Sequence, residues 1–159
     1  MSKELIDKVS FYSDNEIRGF FGEYRWLSNF HICDIWYDGL KYSSSEAAYQ
    51  ASKLPKDQRL EFTEMNPSQS MKEGRKRHLE SDIEKWKDIR VFIMHEILFE
   101  KFRNKELRKM LLDTGNKYLC EDNWWKDQFW GYSEGIGENK LGLVLMSIRK
   151  HLMEIDKYK

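Results

Sequence analysis

The stretch 82–103 carries one apolar stripe, and nothing else in the chain constrains the fold as much. Ile83, Trp86, Ile93 and Ile97 recur at helical spacing, Ile89 or Arg90 fills the gap between them, and Met94, Leu98 and Phe102 widen the stripe. That spacing marks a helix with one side in a core. In a chain of 159 residues it predicts the central helix against which the rest packs.

Helix starts are legible around it. Ser43 with Glu46 and Ser81 with Glu84 fit capping boxes, and Asn66 offers a cap before Pro67 at a first helical position. The pattern predicts helices over 44–54, 56–65, 67–78 and 82–103, a short one from Lys105 closed by Gly115, and a last one from Lys140 with Leu141, Leu145, Ile148 and Leu152 on one face. Ahead of them, Ile32 to Tyr37 and Leu40 to Tyr42 flank Asp38-Gly39, a pair suited to the positive φ angles of a type I′ hairpin turn. Val9 to Tyr12 and Gly19 to Phe21 are further strand candidates. Residues 118–137 read as a short strand followed by a long loop with three tryptophans, a composition that points to a functional loop. The class is α+β: a mainly helical single domain over 1–159 with a few short antiparallel strands.

Charge narrows the function. Lys plus Arg and Asp plus Glu both number 27, so no global field draws the chain to nucleic acid or an anionic membrane, and phosphate recognition must be local. The charged fraction of 34% and mean hydropathy of −0.77 hint at a loose chain, but 14% aromatic residues argue for packed structure. The N-terminus lacks a leader pattern and no stretch approaches a membrane span, which predicts a cytoplasmic protein. Cys33 and Cys120 have neither metal-ligand nor disulfide spacing, and His31, His78, His95 and His151 are scattered. Neither a metal site nor a cofactor is expected.

Two polar clusters hold the chemistry. In the first, Glu46, Gln50 and Lys53 fall at i, i+4 and i+7 on one helix face with Tyr49 beside them, while Ala47, Ala48, Ala51 and Leu54 supply the packing side. A capping role would account for Glu46, and catalysis is the alternative. In the second, Asp127 sits among Trp124, Trp125, Phe129 and Trp130, with Glu121 and Asp122 as rival acids. A carboxylate among rings suits stabilisation of an oxocarbenium-like carbon or activation of water. Trp86 reads either as core packing or as a plate for a heterocycle. Gly135, Gly137 and Gly142 surround Asn139 ahead of the last helix, which suggests backbone NH groups open to a phosphate. The basic run Met71 to His78 is a second phosphate candidate.

Taken together these residues resemble the NADAR domain family, also called YbiA-like, over about 11–152. Phe21 to Phe30 resembles its opening signature, Asp38-Gly39 and Ser45-Glu46 through Lys53 its next block, and Gly74-Arg75 with Trp86 its middle. Met94 through Phe102 resembles its long helix, and Asp127, Trp130-Gly131 and Gly137 through Gly142 its closing signature. The resemblance implies a metal-free N-glycosidase with Glu46, Trp86 and Asp127 as catalytic set. It implies substrate contacts from Ser28, Asn29, Tyr49, Lys53, Arg75, Trp130, Gly131, Gly137 and Asn139. The substrate it implies is a phosphorylated ribosylamino-pyrimidine intermediate of riboflavin synthesis, cleaved to ribose 5-phosphate. The alternatives are removal of ADP-ribose from modified guanine in nucleic acid, and a non-catalytic nucleotide-binding module. Where relatives often carry His and Phe around the tyrosine, this chain has Ala47-Ala48-Tyr49.

Overall fold

The computed structural model describes residues 2–77 and 83–158. The expected cap at Ser81 lies outside the described residues, as does His78. The chain falls into two compact units, Met1–Ser28 with Lys105–Lys159, and Asn29–Asn104.

The second unit begins with the hairpin, β3 (Ile32–Tyr37) and β4 (Leu40–Ser44), where Asp38 and Gly39 take φ of 48° and 79° as the turn requires. Tyr37 pairs with Leu40 and Ile35 with Tyr42, and an irregularity between Ile32 and Ile35 shifts the register so that Ser44 faces Ile32. The Asp38 carboxylate then anchors the turn to Arg59 at 2.6 Å and Lys56 at 3.1 Å. Directly after β4 comes α2 (Ser45–Ser52). Its cap is Ser44, whose Oγ accepts from Ala47 N, while the Ser43 hydroxyl donates to Met65 O. The capping box assigned to Ser43 and Glu46 is therefore absent: the cap sits one residue later, Ala47 occupies the position a box would need, and Glu46 is left for another use.

Residues 56–65 form two short 3₁₀ turns, Lys56–Gln58 and Leu60–Glu64, in place of the expected α-helix. Asn66 then opens α3 (Pro67–Lys76) with a full capping box to Gln69. The long helix α4 (Ile83–Lys101) buries Trp86, Ile93, Met94, Ile97 and Leu98, with Phe102 just beyond its end. Ile89 is half exposed, so Arg90 takes the inward register.

The first unit joins both ends of the chain. A surface helix α1 (Lys3–Val9) covers residues expected in part to be strand, then β1 (Phe11–Tyr12) and β2 (Glu16–Arg18) pair antiparallel. Gly19 to Phe21, read as a strand, leads instead into a 3₁₀ turn, Gly22–Leu27. After α5 (Lys105–Asp113), β5 (Tyr118–Cys120) pairs with β2, and this pairing is parallel where only antiparallel strands were expected. The last helix α6 (Lys140–Asp156) buries Leu141, Leu145, Ile148 and Leu152 on the expected face. Arg149, on the same helix, is buried and donates to Thr114 Oγ1 at 2.7 Å and Lys117 O at 2.8 Å, which ties the turn before β5 to α6. Both cysteines are free thiols. Among the described residues no helix is long and apolar enough to cross a membrane, and no group of three His, Cys, Asp or Glu side chains is placed to hold a metal.

Candidate active site

The first polar cluster assembles within the second unit. One helical turn apart on α2, Glu46 and Gln50 meet: Gln50 Nε2 donates to Glu46 Oε1 at 2.7 Å. A further turn on, Lys53 Nζ donates to Gln50 Oε1 at 2.8 Å. Glu46 and Gln50 are buried, so the carboxylate and the amide meet in a setting with little competing water. Glu46 N also donates to Asn29 O at 3.0 Å, which places Asn29 at the start of the same helix.

An aromatic wall stands over the cation. Tyr49 and Trp86 are both buried, with ring centroids 5.2 Å apart and planes tilted by 57°. Lys53 Nζ lies 5.0 Å from the Tyr49 centroid and 5.3 Å from that of Trp86. The indole NH points to Ser52 Oγ at 3.4 Å, and the Ser52 hydroxyl donates to Tyr49 O at 2.6 Å. The Trp86 ring is thus packed in the core, the first of the two readings offered for it, and Lys53 lies against it. Burial lowers the Lys53 ammonium below the ordinary lysine value of 10.5; Glu46 counters this, and Arg75 and Arg90 add to it. Such an amine can bind an anion while protonated or attack an electrophilic carbon once neutral.

Close approach of α2 and α3 depends on Gly74. A Cβ there would run into Gln50 Oε1 and come within 2.9 Å of its Cδ. Next to it Arg75 is exposed, while Arg77 is ion-paired to Glu73 at 2.7 Å and Glu61 at 2.6 Å. The basic run on α3 is therefore largely answered by acids of the same unit, and Arg75 is the member whose charge reaches Lys53. Ser52 and Arg90 were not among the expected site residues, whereas Gln50 was placed on the shared face with Glu46 and Lys53. For Gln50 the i, i+4, i+7 spacing was the available signal; Ser52 had none.

The second polar cluster builds a loop in the first unit. Asp127 Oδ1 accepts from Phe129 N at 3.2 Å and Trp130 N at 2.9 Å, and Asp127 N donates to Asn123 Oδ1 at 3.1 Å. The carbonyls of Gln128, Phe129, Trp130 and Gly131 accept in turn from the NH groups of Glu138, Lys140, Leu141 and Asn139, at 2.8–3.1 Å. The NH groups of Glu138, Asn139, Lys140 and Leu141, at the start of α6, are thus already used within the loop, which the sequence could not show because their acceptors lie several residues away. Glycine is needed here for closeness, since a Cβ on Gly137 would overlap Gly131 O. Asn139, at φ 48°, gives both amide hydrogens to Tyr118 OH and Leu119 O and accepts from Glu121 N, so its side chain holds the loop onto β5. Trp124 stacks on Phe21 at 5.3 Å, and Phe129 meets Trp130 edge to face at 4.9 Å. Arg18 grips Asp122 through two nitrogens at 3.0 and 3.1 Å, taking one rival acid out of consideration. Ser28 is buried and its NH donates to Arg25 O at 3.0 Å.

The sequence of residues 10–153 matches the model of the NADAR domain family. The chain belongs to the NADAR domain family. That match runs through residues of both units. The chain is 33% identical to N-glycosidase YbiA of Escherichia coli (strain K12) over 149 residues, covering 91% of this chain and 88% of that protein. It is 36% identical to a riboflavin biosynthesis protein of Vibrio vulnificus (strain YJ016) over 161 residues, covering 99% of this chain but only 42% of the length of that relative. The NMR structure of E. coli YbiA superimposes with a TM-score of 0.77 at 29% identity, covering 100% of this chain and 96% of that one. The mainly helical fold with small sheets is that of this NADAR relative.

Proposed function

We propose that this chain is an N-glycosidase that hydrolyses the bond between a ribose anomeric carbon and nitrogen, with a phosphorylated ribosylamino-pyrimidine as substrate. The observation that carries the reading is the carboxylate of Glu46: it is buried, relieved of capping by Ser44, and held by Gln50 beside an aromatic wall and a lysine. A cap would have explained that glutamate without any chemistry. The names of the relatives, N-glycosidase and riboflavin biosynthesis protein, support the reaction and the substrate class.

In the reaction water adds to the anomeric carbon while the electrons of the carbon–nitrogen bond pass to the departing nitrogen, which takes up a proton. Positive charge builds on the ring oxygen and carbon, and a nearby carboxylate stabilises it or accepts the proton of the water. Glu46 fills one of these roles. Asp127 is proposed for the other on the family resemblance. Tyr49 and Trp86 would wall the base, and Lys53 and Arg75 would answer the phosphate. Ser28, Asn29, Trp130, Gly131, Gly137 and Asn139 remain proposed contacts on that resemblance, the last with its side-chain amide spent on the loop.

The depressed Lys53 ammonium favours a second route, in which its neutral amine bonds to the anomeric carbon as the carbon–nitrogen electrons leave with the base, which takes up a proton, and water then hydrolyses the lysine–ribose bond and restores the amine. The test of the function is mass spectrometry of the purified protein with the ribosylamino-pyrimidine phosphate, and separately with DNA carrying ADP-ribosylated guanine. Release of ribose 5-phosphate supports the proposal. Release of ADP-ribose moves the substrate to modified nucleic acid, and silence from both defeats the enzyme reading in favour of a binding module.

A further inference from the structure

An acid and an amine stand on one helix face with a neutral amide between them. Gln50 Nε2 faces Glu46 and Gln50 Oε1 faces Lys53. Only this orientation satisfies both neighbours, because the reverse would set the amide oxygen against a carboxylate and the NH₂ against an ammonium. Its position is fixed from the other side by α3, where the absence of a side chain on Gly74 makes room for Oε1.

We propose that Gln50 is a positioning residue that acts as an electrostatic spacer, keeping the Glu46 carboxylate and the Lys53 amine coupled through one amide but out of a closed ion pair. A closed pair would tie up the lone pairs of the carboxylate and lock the amine in its charged form. With the spacer in place, the carboxylate and the amine do not neutralise each other directly, and Lys53 keeps the capacity to change protonation state. The groups that set the charge of Lys53 come from three helices: Glu46 on α2, Arg75 on α3 and Arg90 on α4. The consequence for turnover rests on the N-glycosidase reading; the geometry does not.

Gln50→Glu is the isosteric test. It gives Lys53 a carboxylate partner and sets two carboxylates against each other, which must then share a proton. The first readout needs no substrate: the pH midpoint of Lys53 acetylation by acetic anhydride, followed by mass spectrometry of its peptide, rises by about one unit or more in Gln50→Glu. An unchanged midpoint overturns the proposal. The second readout uses the wild-type protein, so it survives a variant that fails to fold. The ¹⁵N side-chain amide resonance of Gln50 titrates twice, once with Glu46 and once with Lys53, and a flat response overturns the proposal. With active enzyme, the acid limb of the Gln50→Glu rate profile moves to higher pH, each unit costing about tenfold on that limb. If wild-type protein turns over no N-riboside, the function falls while the two substrate-free readouts still judge Gln50.

Discussion

Asp127 holds a turn and is proposed to serve the reaction, and a pair of substitutions can separate the two. Its Oδ1 accepts from two backbone NH groups, at 3.2 and 2.9 Å, and so holds the turn that leads into Trp130. Each bond is worth about 1 kcal/mol net. Asp127→Ala removes both and costs about 2 kcal/mol, which for a chain of this length lowers the melting temperature by about 4–8 °C. Asp127→Asn keeps an acceptor oxygen in the same place, and Asn serves such turns about as well as Asp. Its expected cost is under about 0.5 kcal/mol, a shift of no more than about 2 °C. The charge, however, is gone, and if the carboxylate serves the reaction turnover falls by about 10²–10⁴-fold. Thermal unfolding followed by circular dichroism, run beside the release of ribose 5-phosphate, reads both effects. Wild-type turnover in Asp127→Asn would refute the chemical role and leave Asp127 as a turn residue; early melting of Asp127→Asn, equal to that of Asp127→Ala, would refute the division of roles.

Glu46→Ala should lower turnover by about 10²–10⁴-fold while far-UV circular dichroism stays that of the wild type, because the helix cap belongs to Ser44. Unfolding of that variant would show the carboxylate to be structural. Lys53 sets a pH dependence whose sign separates its two roles. Its ammonium titrates below 10.5, so activity that needs the cation falls as pH rises through that depressed value, whereas activity that needs the neutral amine rises over the same window. A rate profile that is flat there would remove Lys53 from the reaction. For stability the sign is equally definite: the folded state gives up the Lys53 proton before the unfolded state does, so its contribution to stability rises with pH between the depressed value and 10.5. Arg149→Met leaves Lys117 O without this donor and takes one partner from Thr114 Oγ1, which still donates to Leu111 O, and should cost about 2 kcal/mol, read as a lower urea midpoint with an unchanged slope.

Several elements are legible in the amino-acid sequence because their signals are local. Asp38-Gly39 specifies a two-residue turn through its backbone preference, Asn66-Pro67 opens a helix at the residue it marks, and the stripes of α4 and α6 repeat often enough to be read. Short elements that depend on distant partners are not. The three residues of β2 carry no period, and they are a strand because β5, about a hundred residues later, pairs with them in parallel. The run Ser43-Ser44-Ser45 offers three chemically equal caps, and the choice of Ser44 follows from where β4 ends, with Ser43 turned to Met65. The NH groups of Glu138, Asn139, Lys140 and Leu141 look open to an anion in the sequence because their acceptors are out of view there.

Backbone preference, residue spacing and motif order are thus enough to specify the family, the order of the main helices, the hairpin and the shared face of Glu46, Gln50 and Lys53. What each polar group is used for is settled by tertiary packing: Gln50 between an acid and an amine, Gly74 as the space that admits it, Asp127 as the holder of a turn, and the NH groups of Glu138, Asn139, Lys140 and Leu141 as loop bonds. The reason is that a hydrogen bond needs both partners within about 3 Å, and which partners come that close depends on how segments far apart in the chain pack together.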